Sequence, residues 1–325
     1  MVSMAWYVAR RVGWAFVVAF IIVSVTFALL QVSPDPGLAQ AKFQATQSGG
    51  DAQSAAAAYR QRRGLDQPVW QRYANYVGNV ATGHWGWSDT RSQPVTAALL
   101  DAYPYTLMYS VPSVILSTVL GMAIGLYSAT HQYTKSDYAA TLFAFFGISI
   151  PNFWFGIVLL LVFSVTLGWF PILFDPNLST FSIANIRQLV LPVVVLTTGA
   201  IATQMRYGRA ESLEYVGATF VKTARAKGAS SRRITYRHIF RAALVPLSTI
   251  LVGDVLALLV SSSVLVEVVF GIPGLGRLVF DAIEQQDTAL VLGTTFIFVA
   301  IGVIGNLLQD LAYTVLDPRI DFSDR

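Results

Sequence analysis

Few residues in this chain could do chemistry, and those that could are scattered. Asp254 lies about a third of the way into the apolar run Leu247–Val266, and Glu267 follows at its end. A lone carboxylate at the centre of a bilayer costs about 3 kcal/mol, so such a group lines a watery pathway, bonds to a neighbouring helix or is protonated. Asp254 and Glu267 are the candidate residues of a translocation pathway, a reading that weighs about equally with the structural one. The adjoining Ser261-Ser262-Ser263 run suits close helix approach better than a pore lining. His84, His131 and His238 fall in separate segments, which argues against a chelating cluster. There is no cysteine, so disulfides, thiolate metal sites and cysteine nucleophiles are excluded. No Gly-x4-Gly-Lys-Ser/Thr loop, His-Glu-x-x-His pair or Gly-x-Ser-x-Gly elbow occurs. No cofactor is expected on this chain, and any driving energy must come from an ion gradient or from another subunit.

The long charged stretch among apolar ones runs from Arg206 to Pro246. Its pattern predicts two helices joined at Gly228. Glycine there supplies the positive φ of a helix C-terminus, Ser230 or Ser231 caps the next helix, and Lys222, Arg225 and Lys227 suit the first helix's dipole. Beyond the turn, Arg233, Arg237 and Arg241 recur four apart as a basic stripe, with Ile234 and His238 on a neighbouring face. A loop held inside by its charge and touching only lipid headgroups would explain the basic residues. It would not explain a glycine-punctuated helix pair with apolar positions in register.

The elements that must position these residues are membrane spans. The chain is 54% hydrophobic and only 12% charged, too apolar for an ordinary soluble domain, and its mean hydropathy is +0.56. An all-α integral membrane fold of six spans is expected. The first is Val12–Leu30, about the length that crosses ~30 Å of hydrocarbon, with no small-x-small cleavage site after it. Residues 32–103 then form a polar extracytoplasmic insertion. Its better-defined helix starts at Asp66-Gln67-Pro68 and puts Trp70, Tyr73, Val77 and Val80 on one face before Gly83. Thr106–Ala129 is the second span. The uncharged Tyr138–Phe174 is too long for one straight crossing and is expected to kink at Gly147 and Pro151. Gln188–Met205, Leu247–Val266 and Ala289–Gln309 complete the set. With both termini inside, the basic stretch 206–246 becomes one cytoplasmic loop, whereas the short outer loops hold only Arg187 and Arg277.

Four motifs, in order, carry a resemblance over nearly the whole chain. They are Arg63-Gly64-Leu65-Asp66-Gln67-Pro68, Thr223-Ala224-Arg225-Ala226-Lys227-Gly228, Val266-Glu267-Val268-Val269-Phe270 with Pro273-Gly274-Leu275-Gly276, and Leu316-Asp317-Pro318-Arg319. Together they resemble the oligopeptide/dipeptide/nickel permease family of ABC importers. The large insertion and the Leu-Asp-Pro-Arg ending are similar to its B-type subunit. The resemblance implies a single permease domain over residues 1–325 in the cell membrane. Its partners would be a second related permease, two cytoplasmic ATPases that bind ATP and Mg, an extracytoplasmic substrate-binding protein and membrane lipid, with no nucleic acid. It implies no chemistry by this chain itself, inward transport by alternating access, and peptides as the leading substrate class, with oligosaccharides or nickel next. It also makes 206–246 the ATPase-coupling loop, carried by Ala224, Arg225, Ala226, Lys227, Gly228, Ser231, Arg233, Arg237 and Arg241. The broader ABC-permease pattern would put a glutamate six residues before the glycine, where this chain has Lys222. An ion-coupled secondary transporter is the rival of another class; it would favour inverted repeats and intramembrane ion ligands. A membrane enzyme comes third.

Overall fold

A computed structural model describes residues 4–32, 36–244, 247 and 264–316. In chain order its elements are α1 (Met4–Val32), α2 (Pro36–Gln47), α3 (Ala52–Arg62), α4 (Val69–Thr82), β1 (Trp87–Ser88), β2 (Gln93–Pro94), α5 (Val95–Thr130) and α6 (Lys135–Ser149). Then come α7 (Asn152–Leu159), running on as a wider π-type helix over Leu160–Thr166, α8 (Ile183–Val216), α9 (Thr219–Ala226) and α10 (Ser231–Arg233), which widens likewise over Ile234–Phe240. The last three are α11 (Val264–Phe270), α12 (Leu275–Glu284) and α13 (Thr288–Leu316). These residues fall into two compact units, one drawn from Met1–Ala9, Ala102–Leu278 and Ile304–Arg325, the other from Arg10–Asp101 and Val279–Val303.

The fold is all-α and built for a membrane. Among the described residues four helices are long and apolar enough to cross one: that starting in α1, α5, α8 and the Thr288–Gln309 part of α13. The expected kink in the third span is a 99° bend between α6 and the α7 run. Pro151 causes it, because a proline disfavours helical backbone at the residue before it, and Ile150 is extended at φ −96°, ψ 127°. Gly147 is not the hinge; it lets α6 lie against the backbone of Thr198. The expected fifth span, with Asp254, lies largely outside the described residues. Several helices outrun their expected lengths, α5 and α8 the most. α5 begins at Val95 rather than Thr106, and α8 starts at Ile183 and runs to Val216, carrying Arg206, Arg209, Glu211 and Glu214 in unbroken helix. Arginine and glutamate are good helix formers, and Gly208, which intervenes before Gly217, packs against the backbone of Met122 in α5, so contact with α5 carries the helix through it.

In the larger unit, two apolar cores mark the two ends of the helices. One gathers Tyr109, Leu159, Leu191, Val195, Val266, Phe270 and Ile272. The other gathers Leu126, Val221, Ile234 and Ile239. Between them α5 and α8 cross at backbone contact, where Gly121 and Gly125 face residues 204–209 with no room for side chains.

In the smaller unit, Phe27 of α1 packs on Tyr73 and Tyr76 of α4, at ring distances of 5.2 and 5.3 Å, and Tyr76 and Trp85 pack on Phe296. The inward face of α4 is thus Tyr73, Tyr76, Val77 and Val80. Trp70, expected on it, is 72% exposed in the first turn, and Tyr76 packs on that face instead. Pro68 occupies the position before α4 with no side-chain cap, so Asp66 does not cap it.

Asp287, in the turn before α13, staples this unit. Its carboxylate accepts hydrogen bonds from the Ser88 hydroxyl (2.7 Å), the Thr90 hydroxyl (2.9 Å) and N–H (3.2 Å), and the Leu290 N–H (3.1 Å). Burial opposes its charge, but the bonds from Ser88, Leu290 and Thr90 outweigh burial and hold it below the usual carboxylate range. A carboxyl depressed by folding adds stability that is complete at neutral pH and lost as pH falls below that range. Asp287→Ala is expected to lower the Thr90 amide protection factor at pH 7 by roughly 5- to 30-fold, the equivalent of one or two kcal/mol. Hydrogen exchange read by mass spectrometry checks this, and unchanged protection of Thr90 would refute the staple.

Candidate functional site

The basic stretch forms the helix–turn–helix that its residues prescribe. α8 closes at Gly217, α9 follows, and Lys227 ends α9 before Gly228, whose φ of +77° lies in the left-handed region. The Ala229 N–H returns to the Ala224 carbonyl at 3.1 Å, closing the turn. Ser230, rather than Ser231, caps α10 by accepting the Arg233 N–H at 3.4 Å. A Cβ on Gly228 would meet nothing within 4 Å, so the glycine is there for its backbone angle alone.

Apolar positions pin this hairpin down. Val221, Ile234 and Ile239 are fully or almost fully buried against Leu126 of α5, with Tyr215, Val216, Ala218, Ala229 and Phe240 around them. Ile234 and Ile239 are five apart, the spacing of a π-type turn. That spacing alters the expected stripe. Arg233, Arg237 and Arg241 are all exposed, but a four-residue step falls short of a full wide turn, so they spiral. Arg232, Arg233, Tyr236 and Arg237 line an open cavity of about 420 Å³ with Ser230, and Arg241 is not among its lining. Arg225, Ala226, Lys227, Gly228 and Ser231 are exposed, and Ala224 is half-buried. The outcome is a rigid apolar base under a surface of fixed positive charge, which suits docking to a protein groove lined with acceptors or acids.

Glu267, expected beside the pathway, is enclosed within the larger unit at 0% exposure. Its Oε1 accepts from the Thr106 hydroxyl (2.8 Å) and the Tyr109 hydroxyl (2.7 Å), and its Oε2 from the Arg277 N–H (2.8 Å). The Thr106 oxygen in turn accepts the Leu275 N–H at 2.9 Å. The carboxylate therefore ties α5 to the Gly271–Gly276 turn and caps the start of α12, where a negative charge suits the helix dipole. Gly274 leaves it the space: a Cβ there would lie 2.5 Å from its carboxyl carbon. The signal for this cage was Thr106 and Tyr109, hydroxyls three apart near the start of an apolar run. A second polar cluster, Asp137 with Arg209, was also legible only as separate charges. Asp254 lies outside the described residues. Among the described residues no three metal-type side chains converge.

The described residues thus combine long apolar helices with an exposed basic helix pair fixed to its own core. The family described as "Binding-protein-dependent transport system inner membrane component" matches residues 121–322, and its N-terminal counterpart matches residues 4–110. The chain belongs to this family, within the oligopeptide/dipeptide/nickel permeases of ABC importers. It is 34% identical to the oligopeptide transport system permease protein AppB of Bacillus subtilis (strain 168), over 98% of this chain and 100% of that one. It is 32% identical to the dipeptide transport system permease protein DppB of Lactococcus lactis subsp. cremoris (strain MG1363), over 97% and 98%. With the di/tripeptide transport system permease protein DppB of Pseudomonas aeruginosa (strain UCBPP-PA14) it shares 32% over 97% and 98%. Among solved structures, an inward-facing MetNI methionine ABC transporter chain matches with a TM-score of 0.52 at 18% identity, over 68% of this chain and 96% of that one, a likeness of fold.

Proposed function

We propose that this chain is the B-type permease of a peptide importer, which pairs with a second related permease and moves its substrate inward by alternating access. Two cytoplasmic ATPases supply the energy, holding the ATP and Mg, and an extracytoplasmic binding protein delivers the peptide. The permease itself makes and breaks no bonds. The peptide class is supported by the names of relatives that align from end to end. Residues 32–103 face outward, both termini face the cytoplasm, and Asp254 lies on the pathway in this reading.

The observation that carries it is the 206–246 loop. Its exposed arginines stand on a buried apolar base, so a force applied to them is passed into the helix bundle rather than absorbed by a floppy loop. Replacing Arg233 and Arg237 with Glu inverts the exposed charge without disturbing Ile234 or Ile239. Purified with its partners, this double variant is expected to retain roughly tenfold less ATPase, with a weaker salt dependence, while the permease inserts normally. Gly228→Val acts by geometry instead: a β-branched residue resists positive φ, so α10 is displaced and substrate-stimulated ATP hydrolysis falls. ATPase recovery and stimulated hydrolysis at wild-type levels in both variants would remove the coupling assignment.

A further inference from the structure

Asp137 lies at the corner between α5 and α6, and that corner is folded around it. The carboxylate is 2% exposed and accepts from the Ser128 hydroxyl and from the Tyr133 N–H (3.0 Å). Tyr133 has φ +62°, a costly angle for a tyrosine, and its N–H is aimed at this acceptor. The Thr134 hydroxyl receives the Asp137 N–H at 3.2 Å and caps α6. The corner's own geometry is thus complete without help from elsewhere.

Arg209 adds a link that the corner does not need. From α8 its Nη2 reaches the Asp137 carboxylate at 3.1 Å and its Nη1 the Thr141 hydroxyl at 3.4 Å. Its backbone is held too, since a Cβ on Gly125 would lie 2.7 Å from the Arg209 nitrogen. Beyond Arg209, α8 ends and turns into α9, whose core closes on Leu126, again on α5. The basic hairpin is therefore fastened twice to one object, the inner end of α5 with its corner. The Arg209 side chain is 28% exposed and that of Asp137 only 3%, so the pair is largely withdrawn from water, and Arg209 answers a carboxylate that the corner's own two donors already hold.

We infer that the Asp137–Arg209 pair makes the α5–α6 corner and the basic hairpin one moving body, so that Arg209 is a positioning residue through which ATPase closure reaches α5 and α6. This rests on the coupling reading of the hairpin. It differs from a simple lever on the helices adjoining the loop in sequence, because it sends the motion to helices distant in the chain.

The absence of cysteine lets spin labels be placed at will in this subunit. With Lys135→Cys on the corner and Lys222→Cys on α9, both exposed, the label distance would be measured in the whole importer in lipid nanodiscs, without nucleotide and after trapping with ATP and vanadate. In the otherwise unaltered permease the distribution is expected to stay narrow and unchanged on trapping. In Arg209→Gln, which leaves the Ser128 and Tyr133 bonds in place, it is expected to shift and broaden on trapping, with the ATPases retained in full; Arg209→Lys restores much of the wild-type behaviour. A residue that merely supports the fold would lower yield or Tm and leave the trapped distance alone, which would overturn the proposal. Labels that move apart on trapping with Arg209 intact would overturn it as well. If the unaltered permease fails to hold the ATPases through the hairpin, the coupling reading falls and this inference with it; retained ATPases with unaltered distances in Arg209→Gln would overturn this inference alone.

Discussion

Glu267→Ala is expected to abolish most of the folded permease, whereas Glu267→Gln should leave most of it intact. The alanine strips the acceptor from the Thr106 and Tyr109 hydroxyls and the Arg277 N–H, all turned toward a carboxylate with no exposure. Each buried donor left unpaired costs about 1–3 kcal/mol, and the vacated space adds to that, so the loss amounts to several kcal/mol against a marginal total. Glutamine fits the same space. Its carbonyl can accept from Arg277 N–H while its amide donates to the two hydroxyl oxygens, which accept as readily as they donate. Yield of monodisperse protein and Tm of the detergent-purified complex test the pair of variants. Wild-type yield and Tm for Glu267→Ala would mean the cage does not hold the fold. Normal folding with lost uptake would instead return Glu267 to the pathway where its sequence position first put it.

Gly125→Val should be as damaging, for a steric reason. A Cβ on Gly125 would lie 2.6 Å from the Met205 carbonyl oxygen, 2.7 Å from the Arg209 nitrogen and 2.9 Å from the Gly208 carbonyl carbon, all of them backbone. Backbone cannot rotate aside, so α5 and α8 must part along the crossing, and the cost exceeds the ~1–3 kcal/mol usual for overpacked side chains. Gly125→Ala should fall between valine and wild type. Gly302→Ala is the control. It places a Cβ where nothing lies within 4 Å, and on helix propensity alone it should stabilise by up to about 1 kcal/mol. Thermal unfolding of the four proteins in one detergent gives the comparison; a Tm for Gly125→Val within a degree or two of wild type would show that the helices do not depend on this contact.

Much of the architecture was legible in the residues because it follows from short-range rules. Apolar runs too long and too poor in charge for a soluble core declared the membrane fold. Gly228 and the serine pair Ser230-Ser231 marked the hairpin turn because positive φ and an N-cap oxygen are demands made of single residues, and the structure chose Ser230 as the cap. Pro151 announced the bend in the third span on the same grounds, although only its effect on Ile150 turned a kink into 99°.

The pairings of residues far apart in the chain had no such signal. Thr106 and Tyr109 with Glu267, Ser88 and Thr90 with Asp287, and Asp137 with Arg209 are separated by scores of residues, and each partner alone reads as an ordinary polar residue near a helix end. Burial singled them out, since a polar group away from water must find its partner wherever the fold brings one. The wide turns also escaped the pattern, because a helical period of 3.6 was assumed where Ile234 and Ile239 are buried five apart, and so the arginines beside them spiral. The sequence by itself determined the class of molecule and the position of its basic hairpin, through local chemistry. Which helices that hairpin grips, and where the buried carboxylates find their hydrogen bonds, only the tertiary structure decided, because those contacts exist nowhere until distant segments are packed together.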